Sequence, residues 1–181
     1  MCYLITATLP PGADSGAVRA LAKRFGRGWA LLSTRHIARQ LRPGETYFLA
    51  TRGWCDCETG LGAVKRYHAK DDAGSKAKHF NKPGWSAGKI ARATADRQAA
   101  LARRSERWEE LGAKDAGRWL DFLHATVGSG IVASVGLLLH FYDGAVEDAE
   151  FDFERERCSL AKIDASALMT MEEDRLYEFV P

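Results

Sequence analysis

The sequence has few cysteines, no long apolar run and no nucleotide-binding signature. Its four cysteines are too few for the disulfide framework of a small secreted protein, which favours a reducing compartment. The longest apolar stretch, residues 131–142, is too short to span a bilayer, and Met1 is followed directly by strand-forming residues instead of a basic signal region. Neither G-x-x-x-x-G-K nor G-x-G-x-x-G occurs, which argues against nucleotide binding. We therefore expect a cytoplasmic protein without membrane contact.

The composition is typical of a single domain covering residues 1–181. Hydrophobic residues make up 46% of the chain, which is sufficient for a substantial core. In the helical part of the chain, a long helix is expected to end at Gly112, and a second helix is expected to begin at Asp115. The residue patterns predict strands at 2–9, 29–33, 46–51, 135–141, 150–163 and 176–180, and helices at 15–25, 86–111 and 115–127. The first five strands and the three helices follow the order β-α-β-β-α-α-β-β, which predicts an α+β fold with a ferredoxin-like split β-α-β core, an enlarged helical unit and a C-terminal hairpin, and residues 176–180 are expected to add an edge strand.

The most informative feature is the pair of cysteines in Cys55-Asp56-Cys57, because the predicted topology brings Cys2 beside it. In a split β-α-β unit, the third strand lies between the first two and runs antiparallel to the first. The start of strand one therefore meets the end of strand three, and three sulfur atoms are expected near one centre. Such thiolates are zinc ligands, and zinc prefers four ligands. Candidates for the fourth are His68, His79, Asp56 and Cys158.

Other functions of these cysteines stay open, because Cys-x-Cys lacks the Cys-x2-Cys spacing of recognised zinc motifs. The cysteines also fit simple packing in a sheet and a turn, a strained Cys-x-Cys disulfide, or a redox pair whose thiolates are favoured by nearby cations. Removal of Met1 would expose Cys2 as a nucleophile with its own α-amino group as base. Over these two residues the chain resembles amidotransferases that have an N-terminal cysteine, which implies a thiol enzyme, although Tyr3 stands where those families have glycine or arginine.

Charge is distributed unevenly along the chain. Residues 1–64 contain eight Lys or Arg and four acids, residues 65–108 contain twelve and four, and residues 109–181 contain six and sixteen. This pattern fits either solvated faces of opposite sign or charge-complementary surfaces for a partner protein.

A basic segment at residues 65–89 contains interleaved aromatic side chains. Its candidate partner-binding residues are Lys65, Arg66, Tyr67, Lys76, Lys78, His79, Phe80, Lys82 and Trp85. Phosphate contacts and base stacking by such residues would suit single-stranded nucleic acid. A protein partner is favoured, because the acidic last third of the chain would repel a nucleic acid.

A second basic cluster lies between the second and third predicted strands. Its residues Arg35, His36, Arg39 and Arg42 are candidates for binding an anion. No catalytic triad is indicated, and His124 and His140 are interpreted as packing residues.

These observations predict a non-catalytic, cytoplasmic binding or regulatory protein of bacterial type, similar in character to an immunity protein. Its interaction surface would combine the cysteine loop, residues 65–85 and the acidic residues 147–156, with a zinc or thiol site at Cys2, Cys55 and Cys57. The first alternative is a thiol- or zinc-dependent enzyme that uses the same three cysteines. The second is single-stranded nucleic-acid binding through residues 65–89.

Overall fold

The computed structural model describes residues 2–57, 59, 61 and 85–181, and in this part of the chain it is an α+β protein with a six-stranded sheet. The strands are β1 (Cys2–Leu9), β2 (Ala30–Leu31), β3 (Thr46–Leu49), β4 (Val135–Tyr142), β5 (Glu154–Ser159) and β6 (Arg175–Val180). The helices are α1 (Ser15–Arg24), α2 (Arg35–Ala38), α3 (Ala87–Leu123) and α4 (Ala165–Leu168). A π-helical turn, His124–Gly128, continues α3, and short 3-10 turns occupy Val146–Asp148 and Leu160–Lys162.

The order of the strands in the sheet is β2-β3-β1-β4-β6-β5. Strand β3 lies between β1 and β2 and is antiparallel to both, as the split β-α-β pattern predicts. Strand β4 pairs antiparallel with the other side of β1, so β1 is a central strand and is buried from Tyr3 to Leu9. The predicted α+β class is confirmed. The closer assignment to a ferredoxin-like fold stays a prediction.

The predicted C-terminal hairpin is wrong, and so is the predicted edge position of residues 176–180. Strand β6 pairs antiparallel with β4, and β5 pairs parallel with the outer side of β6. The residues between β5 and β6 form a 3-10 turn and α4, which is the longer crossover that a parallel pair requires. Leu176 and Phe179 of β6 are buried, whereas β5 is a run of alternating charges that suits an exposed edge. The acidic residues 147–156 therefore lie in the 3-10 turn, in the irregular connection that follows it and at the start of this edge strand.

The predicted break between two long helices is also wrong, because α3 is continuous from Ala87 to Leu123. Ser86 caps it as predicted, since its side chain accepts a hydrogen bond from the backbone N–H of Lys89 at 3.3 Å. Gly112 lies inside the helix, where a glycine costs only about 1 kcal/mol relative to alanine. Asp115 is not a cap but a buried residue in the interior of α3, where it pairs with Arg27.

The main core lies between the sheet and the helices α1 and α3. Tyr3, Ile5 and Leu9 of β1 pack in one cluster with Trp119 and Phe122 of α3. A smaller cluster, formed by Ile37, Tyr47, Leu138 and Leu176, covers the opposite face of the sheet. The central strand is thus covered on both faces, which fixes its first residues in place for the site described below.

Among the helices in the described ranges, none has both the length and the apolar character that crossing a bilayer requires.

Candidate functional site

The start of β1 lies against the segment that follows β3, and this contact brings three cysteines together. The backbone N–H of Asp56 donates a hydrogen bond to the carbonyl of Tyr3 at 2.8 Å. The Sγ atoms of Cys2, Cys55 and Cys57 lie within 4.8 Å of one another. The predicted convergence of the three sulfur atoms is therefore confirmed.

The sulfur of Cys57 is the most enclosed of the three. It is buried and accepts a hydrogen bond from the backbone N–H of Tyr3 at 3.3 Å, whereas Cys2 and Cys55 are partly exposed. Burial raises the pKa of Cys57 to about 12, and the neighbouring Cys55 and Cys2 thiols add to the rise. At neutral pH this cysteine is thus a thiol unless a cation replaces its proton. Burial therefore makes Cys57 a poor nucleophile at neutral pH.

Asp56, which separates the two loop cysteines, is anchored by protein groups. Its Oδ2 accepts a hydrogen bond from the backbone N–H of Ile5 at 2.9 Å, and its Oδ1 lies 3.1 Å from the Arg27 guanidinium. Burial raises the pKa of Asp56 to about 6, although Arg27 and the N–H groups of Ile5 and Arg52 favour the ionised form. The carboxylate is therefore mostly ionised at neutral pH. It holds the loop against β1 and orients the cysteines on either side of it.

Four residues were candidates for a fourth zinc ligand, and neither of the two that the structure describes belongs to the cysteine cluster. Asp56 does not join the sulfur group, because its carboxylate oxygens are bound as described above. Cys158 lies in β5, at the edge of the sheet, and is not part of the cluster either. His68 and His79 lie outside the described residues.

A buried ion network supports the cysteine loop, and the sequence patterns did not reveal it. Arg27 is only 5% exposed and contacts Asp56 at 3.1 Å and Asp115 at 2.5 Å. Its guanidinium also lies 4.3 Å from the centre of the Trp119 ring. One feature of the sequence does indicate this network. Asp115 stands on the apolar face of the helix, four residues before Trp119, and a carboxylate that is buried there requires a cationic partner.

A cleft of about 400 Å³ lies beside the cysteines, between the loop and α3. Cys55 and Thr59 form part of the loop wall, and Trp108 and Leu111 form part of the helix wall. Asp115 also borders the cleft, and because Asp115 pairs with Arg27, the cleft adjoins the buried ion network. The cysteine cluster therefore adjoins a concave surface that is large enough for a small molecule.

Known proteins give no further guide to this site. Neither protein-family models nor curated proteins nor solved structures match the chain. Function is therefore argued from the chemistry of the site itself.

The predicted partner-binding segment falls mostly outside the described residues. Of its members, Lys65, Arg66, Tyr67, Lys76, Lys78, His79, Phe80 and Lys82 lie there. Trp85 is described, and the Lys89 ammonium lies 4.6 Å from the centre of its ring. Binding of a protein or a nucleic acid through this segment stays a prediction.

The predicted anion-binding residues lie in and after α2. Arg35 and Arg39 are exposed. His36 Nε2 lies 3.0 Å from Asp152, and the Arg42 guanidinium lies 2.9 Å from Glu178, so each of these two already faces a carboxylate. Anion binding at this cluster stays a prediction, and it would have to compete with those carboxylates.

His140 belongs to a second group of potential ligands. Its Nδ1 lies 2.5 Å from Asp174, its ring stacks on Phe151 with 3.5 Å between centroids, and Glu173 lies close by. Glu173 also accepts a hydrogen bond from the backbone N–H of Phe141 at 3.1 Å. His140 thus contacts both an aromatic ring and a carboxylate, and its interpretation as a packing residue stays a prediction.

Proposed function

We propose that the chain is a zinc-binding protein whose metal centre is formed by Cys2, Cys55 and Cys57. The observation that carries this proposal is the convergence of three sulfur atoms within 4.8 Å. In a tetrahedral zinc site with zinc–sulfur bonds of about 2.3 Å, the sulfur atoms are about 3.8 Å apart. Small side-chain rotations are therefore enough to bring the cluster to ligand geometry.

The surroundings of the cluster support a metal site over a chance contact. The buried carboxylate of Asp56 fixes the loop from within, and the backbone N–H of Tyr3 donates to a sulfur atom. Such outer contacts orient the ligands of natural metal sites and stabilise thiolate charge. Thiolate ligands select zinc and other soft metals over magnesium or calcium.

The role that fits this position best is structural. A zinc ion would join the first residues of β1 to residues 55–57, of which Cys55 forms part of the cleft wall. The metal would thus rigidify the binding surface of a non-catalytic binding or regulatory protein. A zinc-dependent enzyme is the second candidate, because Cys55 lies on the cleft wall and three protein ligands leave one position of a tetrahedral site open.

The test is metal stoichiometry in matched cysteine variants. Purified wild-type protein, incubated with zinc and desalted, should retain about one equivalent by elemental analysis, and cobalt should give a thiolate charge-transfer absorption band. Cys57→Ser and Cys55→Ser should lose most of this binding. Cys158→Ser is the control, because Cys158 is a buried cysteine outside the cluster. Absence of retained metal in the wild type, or equal loss in all three variants with unchanged circular dichroism, would exclude the proposal.

A further inference from the structure

The cleft beside the cysteine loop is lined by three cationic side chains, those of Arg52, Lys114 and Arg118. One carboxylate, Asp115, faces them, but it is already paired with Arg27 at 2.5 Å and lies 3.7 Å from Arg52. Within the residues that the structure describes, no acid forms an ion pair with Lys114 or Arg118. The cleft therefore carries a net positive charge that the described part of the protein leaves uncompensated.

Two of the cationic groups, Lys114 and Arg118, share one face of α3 with the apolar groups of the cleft. Residues three or four positions apart on a helix are neighbours, which applies to Trp108, Leu111, Lys114 or Asp115, and Arg118 in turn. Leu111 is 41% exposed, which is unusual for a leucine beside a buried ion network. The helix wall thus places a half-buried tryptophan and an exposed leucine before the cations of the next turns.

We infer that this cleft binds a small organic anion that carries a phosphate or carboxylate group attached to an aromatic or apolar portion. Guanidinium groups pair with either kind of oxyanion, and a tryptophan beside them suits a flat ring. The volume of about 400 Å³ is within the range of small-molecule sites. The inference does not depend on zinc binding, because none of the three cationic residues belongs to the cysteine cluster.

Four probe molecules test the inference by calorimetric titration of the full chain at low ionic strength. Phenyl phosphate and benzoate each combine a ring with an anion, phenol is the uncharged ring, and inorganic phosphate is the anion without the ring. At least one of the first two should bind saturably at one molecule per chain, with phenol and inorganic phosphate at least tenfold weaker. Which of the two anions binds more tightly assigns the ligand as a phosphate or a carboxylate.

A matched pair of double variants assigns the binding to the cleft. Lys114→Ala with Arg118→Ala should weaken binding at least tenfold. Lys23→Ala with Arg24→Ala removes the same charges from exposed positions of α1 and should leave binding unchanged. Thermal unfolding of both double variants shows whether they are folded. Equal weakening by both, or no saturable binding of either aromatic anion by the wild type, would overturn the inference.

The same titrations on metal-free and zinc-treated protein separate this inference from the proposed metal centre. Binding by protein that retains no zinc supports the cleft while the metal proposal fails. Retention of zinc with no saturable binding of either anion overturns the cleft and leaves the metal centre standing.

Discussion

The guanidinium of Arg27 lies 3.1 Å from the carboxylate of Asp56, and both side chains are almost completely buried. Arg27 follows α1, and Asp56 lies between the two loop cysteines. The same guanidinium contacts Asp115 of α3. One buried cation therefore joins three segments that are distant in sequence, and the geometry of the cysteine loop depends on it.

Arg27→Leu should be strongly destabilising. It leaves Asp56 and Asp115 as buried carboxylates without their main counter-charge, a change that typically costs about 3–5 kcal/mol. Unfolding in guanidinium chloride, followed by circular dichroism, measures the loss. Arg19→Leu is the control, because Arg19 is an exposed residue of α1 and its replacement should change the free energy of unfolding by less than about 0.5 kcal/mol. If Arg27→Leu lowered the free energy of unfolding no more than Arg19→Leu does, the network would not be important for stability.

The convergence of the cysteines was predictable from sequence, whereas the ion network was not. The position of Cys2 beside Cys55 and Cys57 follows from strand order alone, since β3 must pair with β1 in a split β-α-β unit. The partners of Asp115 depend on how α3 docks against the loop after α1. Sequence periodicity reports which face of a helix is apolar, but not which distant residue meets it.

The connection between β5 and β6 shows the same limit. The alternation of acidic and other residues from Glu150 to Arg155 predicts a half-exposed strand over residues 150–163, of which the structure forms Glu154–Ser159, and it does not identify the neighbour of that strand. The buried Leu176 and Phe179 place β6 inside the sheet, and this leaves the edge to β5. Strand identity was therefore readable from local pattern, and strand order at this end of the sheet was not.

Gly136→Ala should destabilise the centre of the sheet. A Cβ at this position of β4 would lie 2.2 Å from Thr8 Oγ1 and 3.0 Å from Leu176 Cδ1, and overpacking of a core costs about 1–3 kcal/mol. Thr8→Ala in the same chain removes the closest atom and should recover part of the loss. The control is Gly117→Ala in α3, where the added Cβ meets nothing within 4 Å and should stabilise the helix by up to about 1 kcal/mol. Both effects are measured by chemical denaturation.

The Arg42–Glu178 pair should contribute stability that disappears in acid. The hydrogen bond and charge of Arg42 lower the pKa of Glu178, so the folded state favours the ionised carboxylate more than the unfolded state does. Its contribution is present above the ordinary glutamate pKa of about 4.3 and is lost as the pH falls through the lowered value. Because Arg42 is half exposed, the contribution should be at most about 1 kcal/mol.

Glu178→Gln tests this pH dependence. The wild type should be more stable than the variant at pH 6, and the difference should shrink as the pH falls below about 4.3 and through the lowered pKa of Glu178. Free energies of unfolding in urea across this range provide the measurement. A difference that stays constant with pH would mean that the lost stability comes from packing of the side chain and not from its charge.

The four cysteines should react with a thiol reagent in a defined order in metal-free, folded protein. Cys2 and Cys55 are partly exposed, whereas Cys57 and Cys158 are buried and burial raises the pKa of both thiols. Since the thiolate is the reacting species, we expect two fast and two slow thiols, and four fast thiols after unfolding. Labelling followed by mass spectrometry of peptides identifies the residues.

Added zinc should slow the reaction of Cys2 and Cys55 with the reagent at least tenfold. The reaction of Cys158 should stay unchanged, because only the clustered thiols would be bound to the metal. If zinc leaves all four rates unaltered, the cluster does not bind it.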